Sequence, residues 1–454
     1  MPINRWKARK MDAWRTARDL IAHAQVPDSL PDPDELRGRV RSLAASFKEI
    51  RVEEIGASRL GRPIEYVEIG EGLRSALLVG APHPNEPIGC SSILTMIEVL
   101  ANAPDLVAEL GYRWCFIPCI EPDGLALNRG WLKGPRTPEH YLEHFYRPAF
   151  DQQAEYTFPL EVGEWRFDRP TPENLAFQSA LAKAKPDLLA SLHNAEFGSA
   201  FYILSKDLPG LADFLASETK GAGLYLDDEG DPGLDSPRIR PGVFQFTNLG
   251  DRIREAIEAG EEPSNTWPAG NSSESYARTR FGTMSLVQEF PYWDDDRLRN
   301  HSPSPFHVSD VVPEIGACKS QALALLDRRL DGLIAASRPE FAPFVSALRE
   351  AHTRGRASGK EMEPPSDRLL SVAEHTMLSV STPLFALRPV AMLKRLADGL
   401  NATEASDDAH NIIATQLAKL RVSTQFDIIP IQKLVRLQLS GILAGAEVVE
   451  RVAG

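Results

Sequence analysis

Short apolar runs that end at turn residues recur along the first two thirds of the chain. Runs of this length bounded by Gly, Pro or Asp predict buried strands, because a strand covered on both faces has no polar side. The predicted core strands are residues 76–79, 112–119, 187–192, 201–204 and 284–288, and a hairpin of residues 51–55 and 64–69 precedes them. Between several of these strands, apolar residues recur at helical spacing and predict helices, as at residues 93–100 and 172–185. This alternation predicts an α/β fold, with a mixed β-sheet flanked by helices on both faces.

The pattern changes after about residue 315, where helical patterns replace strands. The predicted helices there are residues 321–337, 341–351, 389–400, 409–420 and 431–452, with an exposed linker at residues 355–367. Residues 1–27 predict a further amphipathic helix, which we expect to pack against the main body. We therefore divide the chain into an N-terminal helical arm (1–44), an α/β body (45–338) and a helical C-terminal segment (339–454).

Composition narrows the class of protein. Hydrophobic residues make up 43% of the chain and charged residues 25%, as in an ordinary globular protein. The net charge of −13 argues against nucleic acid as the main partner, because phosphate binding needs a dense basic surface. We expect no membrane span, since no window approaches 18 consecutive apolar residues. The four scattered cysteines predict free thiols rather than a disulfide framework, and a cytoplasmic location is the default expectation.

Side chains that can bind a metal or transfer a proton lie at or just beyond the ends of the predicted core strands. His83 and Glu86 follow the first of them, His193 follows residues 187–192, and Glu289 ends the last. Open α/β sheets build ligand sites at this edge, so we expect these residues to converge. Two imidazoles and one carboxylate suit a catalytic zinc ion, and Glu289 could then carry a proton. Arg129, after another strand, offers donors for a carboxylate or an oxyanion.

Four stretches surround these residues and occur in this order: GAPHPNEPIG, IPCIEPDGLALNRGW, LLASLHNAEFG and GTMSLVQEFPYW. Together they resemble the zinc carboxypeptidases of the M14 metallopeptidase superfamily. No single stretch is specific, but the ordered set is, and the resemblance covers roughly residues 45–330. It implies that the α/β body (45–338) is a carboxypeptidase-like catalytic domain that binds one Zn²⁺ per chain.

The resemblance also implies roles for individual residues. His83, Glu86 and His193 match the zinc ligands, and Glu289 matches the general base and acid. Asn128 and Arg129 match the pair that grips the terminal carboxylate of a substrate.

The chain departs from the family pattern at two points. The separate arginine that steadies the oxyanion is missing from its usual place, so Arg129 could serve both roles, with Arg136 or Arg147 as a second arginine. The mobile tyrosine of the family has no clear counterpart, and Tyr276 is the candidate.

A second metal-binding pattern competes with the first. His140, Glu143 and His144 form a literal H-x-x-E-H, the inverted motif of another class of zinc peptidases, with Glu218 downstream as a third ligand. That motif needs a stable helix, and here it lies between Pro138 and Pro148, which leaves fewer than three turns. We therefore expect these residues to line a loop rather than form the primary site.

The sequence thus predicts a zinc-dependent hydrolase that cleaves an amide bond next to a free carboxylate, as at the C-terminal residue of a peptide. A deacylase of small N-acyl amino acids could use the same metal set, with the long loops at residues 125–169 and 206–280 walling a smaller pocket. A silent scaffold protein that works through its helical tail is the alternative outside enzymes. The tail is also the candidate surface for a homo-oligomer.

Overall fold

The computed structural model of the 454-residue chain describes residues 2–226, 236–357 and 367–453. Two predictions fall partly outside the described residues: the long loops within residues 206–280 and most of the linker at residues 355–367.

Helices and strands alternate through the body, and helices dominate the C-terminal part. The helices are α1 Pro2–His23, α2 Pro33–Ser46, α3 Ile88–Ala101, α4 Pro104–Leu110, α5 Pro122–Leu127, α6 Arg129–Lys133, α7 Pro138–His144, α8 Pro172–Ala184, α9 Leu211–Gly221, α10 Leu249–Glu258, α11 Pro263–Thr266, α12 Ser273–Phe281, α13 Val308–Ala336, α14 Ala342–Ala357, α15 Val372–Gly399, α16 Thr403–Ser423 and α17 Ile431–Ala453. The strands are β1 Ile50–Ala57, β2 Pro63–Ile69, β3 Arg74–Val79, β4 Tyr112–Ile117, β5 Leu160–Val162, β6 Trp165–Phe167, β7 Leu188–Leu192, β8 Ala195–Phe197, β9 Phe201–Leu204, β10 Arg238–Arg240, β11 Val243–Gln245, β12 Met284–Glu289, β13 Pro291–Asp294, β14 Pro303–His307, β15 Leu369–Ser371 and β16 Asp427–Ile428.

The main sheet is mixed, with the strand order β1-β2-β4-β3-β7-β12-β9-β11-β10. Its four central strands, β4, β3, β7 and β12, run parallel to one another. The predicted hairpin β1–β2 lies antiparallel at one edge. Because parallel strands end at the same edge of a sheet, whatever follows β3, β4, β7 and β12 is brought to one side of the molecule.

Each face of the sheet has its own core. Ala76 and Leu78 of β3 belong to a large cluster that includes residues of α1, α3 and α17. Leu77 and Val79 belong to a second cluster formed mainly with α8. Alternate residues of a strand point to opposite faces, so an apolar run without alternation requires helices on both sides. The predicted fold class, including the helical C-terminal segment, is confirmed.

The N-terminal and C-terminal helices pack on each other over the same face. Trp14 of α1 is 1% exposed, and its Nε1 donates a hydrogen bond to Glu450 Oε2 of α17 at 3.0 Å. Arg18 forms an ion pair with Glu447, also on α17, at 2.6 Å. Helix α17 in turn contacts α3, β7 and β12. The two ends of the chain therefore form one layer over the sheet.

Helix α15 starts seventeen residues before its predicted beginning at residue 389 and contains two prolines. It is the one helix among the described residues that is long and apolar enough to cross a membrane, and 56% of its most apolar stretch is buried. Leu384, Leu387 and Leu393 are each at most 1% exposed in the main core. Packing against the body thus accounts for the apolar composition of this helix.

Candidate metal centre

The turn after β3 carries His83 and Glu86 into a buried position. The backbone N–H of Glu86 donates to the His83 carbonyl at 3.0 Å, which closes the turn before α3 begins at Ile88. Ala81 has a φ of 48°, a left-handed conformation that costs alanine roughly 1–2 kcal/mol. Such strain persists where the surrounding structure holds a functional turn in place.

The parallel strand β7 brings His193 to the same point. His83 Nδ1 lies 3.0 Å from Glu86 Oε2, and His193 Nδ1 lies 3.1 Å from His83 Nδ1 and 3.2 Å from Glu86 Oε2. A tetrahedral zinc ion with bonds of about 2.0–2.1 Å separates its ligand atoms by about 3.3 Å. The three atoms therefore already have the spacing and the chemistry of three zinc ligands, and the donor set fits the ion.

Burial and charge keep His83 and Glu86 in the protonation states that a metal needs. The three residues are 3–4% exposed. Burial, reinforced by the nearby Arg147 guanidinium, lowers the pKa of His83 to about 3, so the imidazole is neutral at pH 7. Burial opposes ionisation of Glu86, but His83, Arg147 and His193 together hold its pKa well below the usual range. A neutral imidazole and an ionised carboxylate are the ligand forms.

Two further carboxylates flank His193. Glu289, at the end of β12, places Oε1 3.8 Å from His193 Nδ1, beside the three ligand atoms, and its side chain is 16% exposed. Glu155 is 4% exposed and accepts hydrogen bonds from Ser191 Oγ, at 3.1 Å, and from Ser273 Oγ. Burial raises the pKa of Glu155, although His193 opposes the shift. Of the two, Glu289 has the access to solvent that proton transfer requires.

Helix α17 holds three parts of the site through Gln438, which is fully buried. Its Nε2 donates to the His193 carbonyl at 2.9 Å, and its Oε1 accepts from Ser92 Oγ of α3 at 2.7 Å. Its backbone carbonyl accepts from Gln288 Nε2, next to Glu289, at 2.9 Å. The C-terminal segment thus ties together the elements that carry the metal ligands and Glu289.

Helix α15 holds the site from the other side through a buried polar network around Glu196. Arg388 and the Tyr141 hydroxyl both donate to Glu196 Oε1, and Asn85 Nδ2 donates to the Tyr141 hydroxyl at 3.1 Å. Asn85 lies between His83 and Glu86, and Glu196 lies three residues after His193. The network therefore links the two turns that carry the ligands.

Arg129 does not join this group, contrary to the sequence-based prediction. Its Nε lies 3.1 Å from Asp32 Oδ2 and its Nη2 lies 2.6 Å from Asp34 Oδ2, and its side chain is 47% exposed. Both acids belong to the capped start of α2, nearly one hundred residues earlier in the chain. The guanidinium is turned to the surface because these two carboxylates hold it there.

Asn128, predicted to bind substrate, is instead saturated by backbone groups. Its Nδ2 donates to the carbonyls of Gly124 and Tyr146, both at 2.9 Å, and its Oδ1 accepts from the Tyr146 N–H at 3.1 Å. The side chain is fully buried. It closes the loop that ends at Tyr146, so its effect is to position the next residue, Arg147.

Arg147, offered as one of two possible second arginines, is the one at the site. Its Nη1 donates to Glu86 Oε1 at 2.9 Å, on the carboxylate oxygen that does not face the histidines. Its side chain is 20% exposed. Arg136, the other candidate, pairs with Asp28 near the end of α1. Arg147 therefore brings positive charge to the site in the position predicted for Arg129.

Tyr276 lies on the α8 side of the sheet. Its hydroxyl donates to Gln178 Oε1 at 3.3 Å and accepts from Arg280 Nη1 at 3.1 Å, and its ring packs 4.7 Å from that of Phe158. The aromatic ring beside the metal ligands is that of Tyr156, whose centroid is 5.7 Å from that of His83. The structure thus does not bring Tyr276 to the ligands and places Tyr156 there.

The competing H-x-x-E-H stretch forms a separate cluster on α7. His140, Glu143 and His144 bring ligand atoms within 4.8 Å of one another. Glu218, the expected third ligand, instead accepts a hydrogen bond from Ser440 Oγ at 2.7 Å. The inverted motif therefore lacks the third ligand proposed for it.

Four residues near the ligands were not predicted from the sequence: Tyr156, Glu155, Glu196 and Gln438. For Glu196 the sequence carries a signal, because it lies within the matched stretch LLASLHNAEFG. For Gln438 it carries none, since its partner His193 lies 245 residues away.

Part of the chain matches the model of a known protein family. Residues 39–158 match the family model of the zinc carboxypeptidases, peptidase family M14. A search of curated proteins finds no significant match.

Three solved structures with a similar chain path are 12–18% identical to this chain. A metallopeptidase from Shewanella amazonensis SB2B is 12% identical, covering 57% of this chain and 84% of that one, with a TM-score of 0.39. A metallo-carboxypeptidase from Pseudomonas aeruginosa, in complex with (2-guanidinoethylmercapto)succinic acid, is 18% identical, covering 57% and 60%, with a TM-score of 0.34. Carboxypeptidase A from Helicoverpa armigera is 15% identical, covering 59% and 66%, with a TM-score of 0.36.

The segment that matches the family model ends before β7. It contains β3, β4 and the turn with His83 and Glu86. The match confirms the recognition made from the motifs, and the chain is related to the M14 zinc carboxypeptidases through residues 39–158, which carry His83 and Glu86.

Proposed function

We propose that this protein is a zinc-dependent hydrolase of carboxypeptidase type, which cleaves an amide bond next to a free carboxylate. The observation that carries the proposal is the convergence of His83, Glu86 and His193 within 3.2 Å, with Glu289 3.8 Å from His193. The match to the zinc carboxypeptidase family model supports it.

Each residue of the site has a role that follows from its position. His83, Glu86 and His193 would hold the zinc ion, which supplies Lewis-acid chemistry by polarising a carbonyl and acidifying water. Glu289 takes a proton from water at its carboxylate and returns it to the leaving nitrogen, because it is the acid beside the ligands that solvent reaches. Arg147 holds the negative charge of the substrate.

Arg147 suits that role because of its remaining donors. One of its guanidinium N–H groups donates to Glu86. Within the described part of the chain, its Nε and Nη2 have no hydrogen-bond partner. A planar guanidinium can hold a carboxylate with two parallel hydrogen bonds. We therefore assign to Arg147 the contact with the substrate carboxylate that the sequence had suggested for Arg129.

A deacylase of small N-acyl amino acids is the second candidate, and the burial of the site favours it. Each of the three ligands is at most 4% exposed, so the approach to them is narrow. A single acylated amino acid needs less room than a peptide chain. Both candidates share the zinc ligands, Glu289 and the requirement for a free carboxylate.

A substrate screen separates these candidates. Zinc-loaded protein is incubated with a peptide library carrying free C-termini, the same peptides with amidated C-termini, and a panel of N-acyl amino acids. Release of a C-terminal residue from the free peptides alone supports a carboxypeptidase, whereas turnover confined to acyl amino acids supports a deacylase. If zinc binds and no amide is cleaved in any set, the proposal is wrong and a scaffold role is favoured.

A further inference from the structure

The outer face of α7 carries a second set of metal-ligand side chains that the proposed function does not use. His140, Glu143 and His144 stand at positions i, i+3 and i+4, which share one face of a helix. The two imidazole centroids lie 4.5 Å apart, and His140 Nδ1 lies 3.8 Å from Glu143 Oε2. All three ligand atoms lie within 4.8 Å of one another.

The hydrogen bonding of His140 determines which of its ring nitrogens can face a metal. His140 Nε2 lies 2.9 Å from the Gly130 carbonyl of α6. A carbonyl oxygen only accepts, so Nε2 carries the hydrogen and, in the neutral ring, Nδ1 carries the lone pair. That lone pair faces the Glu143 carboxylate. Metal-ligating histidines characteristically donate their other N–H to a backbone carbonyl or a carboxylate.

Two glycines of the preceding segment make room for the imidazoles. A Cβ at Gly130 would lie 2.1 Å from His144 Nδ1, and a Cβ at Gly134 would lie 1.7 Å from His140 Nε2. Any other residue at either position would displace the rings. His140 is consequently held against α6, with 19% of its side chain exposed, whereas Glu143, at 66%, reaches into solvent.

We propose that His140, Glu143 and His144 form a second, peripheral site for a divalent transition metal of the zinc type. Imidazole nitrogens with a carboxylate suit Zn²⁺, Cu²⁺ and Ni²⁺ rather than Mg²⁺ or Ca²⁺. The site is weaker than the buried one, because its ligand atoms must close from as much as 4.8 Å and Glu143 must leave solvent. The protein then binds two ions per chain rather than one.

An ion there would join successive turns of α7, because all three ligands belong to that helix. Tyr141, between His140 and Glu143, points inward and donates to Glu196, while it accepts from Asn85. Metal binding would therefore stabilise the helical conformation of the segment that carries Tyr141. The peripheral ion is structural, and Glu143 serves as its ligand rather than as a base.

Titration of the metal-free protein with Zn²⁺ or Co²⁺, followed by calorimetry and by cobalt absorption, tests the proposal. The wild type should take up two equivalents with different affinities. The double variant His140→Ala/His144→Ala should take up only the tighter one. The double variant His83→Ala/His193→Ala should keep only the weaker one, and this arm reports on α7 whether or not the buried site binds zinc.

Two further variants keep the test decisive if a double variant fails to fold. Glu143→Gln changes an exposed side chain and should weaken the second equivalent by at least about tenfold. His352→Ala, at a surface histidine paired with Asp327 on other helices, should leave both equivalents intact. The proposal is overturned if a folded His83→Ala/His193→Ala variant binds no metal, or if the α7 double variant takes up as many equivalents as the wild type. It is also overturned if Glu143→Gln binds the weaker equivalent as tightly as the wild type does.

Discussion

Two clusters of two histidines and one glutamate lie in the described part of the chain, and they differ in almost everything except composition. The first, His83, Glu86 and His193, joins two turns at the ends of parallel strands. The second, His140, Glu143 and His144, lies within a single seven-residue helix. Ligand atoms are 3.0–3.2 Å apart in the first, whereas in the second they lie within 4.8 Å of one another.

The difference shows what a sheet edge adds to a local motif. Parallel strands position side chains from distant parts of the sequence, and helices on both faces then exclude water from them. The buried cluster is also surrounded by supporting contacts: Arg147 on Glu86, Gln438 behind His193, and Glu289 beside it. In the α7 cluster, His140 Nε2 donates to the Gly130 carbonyl and Arg395 Nη1 donates to the His144 carbonyl, but no comparable contact fixes the exposed Glu143 among the described residues. We therefore assign the proposed catalysis to the preorganised cluster.

Replacing the acid of each cluster in turn by its neutral amide should give the largest difference in turnover. Glu289→Gln should lower kcat by about 100- to 10,000-fold with zinc retained at the buried site, because only the proton carrier is lost. Glu143→Gln should leave kcat within about twofold, since Glu143 lies on the outer face of α7.

Both variants are assayed with the substrate found in the screen, and zinc is quantified in the same samples. Turnover by Glu289→Gln at the wild-type rate would remove Glu289 from the mechanism. A large loss in Glu143→Gln instead would move the chemistry to α7.

The support of the buried cluster by the C-terminal segment gives the next largest effect. Gln438→Ala removes the hydrogen bonds to the His193 carbonyl and to Ser92. We expect zinc affinity to fall about 10- to 100-fold, as when other contacts behind metal ligands are lost. Competition with a chelator measures it.

The matched control is Gln416→Ala, a buried glutamine of the same segment that bonds to Gln321. It should cost stability but not zinc affinity. Equal zinc affinity in the two variants would mean that Gln438 acts only on the fold.

The parts of this centre that could be predicted are those set by local pattern. The apolar run of β3 ends at a turn with His83 and Glu86, and a strand followed by such a turn needs no distant information. His193 and Glu289 were predicted in the same way, since each ends an apolar strand. Four parallel strands then bring these tips together, and that convergence follows from the α/β pattern.

The arginine was not predictable because its direction depends on distant partners. Arg129 follows Asn128 whereas Arg147 lies between Tyr146 and Pro148, and neither setting tells which arginine reaches the ligands. Asp32 and Asp34 of α2 hold Arg129 at the surface. Gln438 is a sharper case, because nothing in a helical repeat marks one glutamine as reaching a strand 245 residues away.

Alanine substitution of each arginine tests which of them binds the substrate carboxylate. Arg147→Ala should raise KM for substrates with a free carboxylate by about 10- to 100-fold, since a hydrogen bond to a charged group contributes about 1.5–3 kcal/mol. The same variant should change KM little for amide-capped analogues, if these are cleaved at all. Arg129→Ala removes the ion pairs with Asp32 and Asp34, neither of which is a predicted metal ligand, and should leave KM within about twofold. A rise in KM for Arg129→Ala alone would restore the assignment made from the sequence.

Substitution of Glu121 should have no effect on turnover. This residue follows β4 at the same sheet edge and is 2% exposed. Burial, together with Glu173, raises its pKa to about 8 despite Arg59. The unfolded chain releases this proton near pH 4.3. Between these values the folded state binds the extra proton, so the stabilisation is complete below about pH 4 and is lost as the pH rises to about 8, by up to about 1.4 kcal/mol per pH unit.

Glu121→Gln keeps an oxygen for the hydrogen bond from the Ala154 N–H and removes the titration. Urea unfolding at pH 5, 6 and 7 should therefore show a flatter decline of the free energy of unfolding in this variant than in the wild type. Equal slopes in the two proteins would mean that Glu121 is ionised in the folded state, and that Arg59 outweighs its burial.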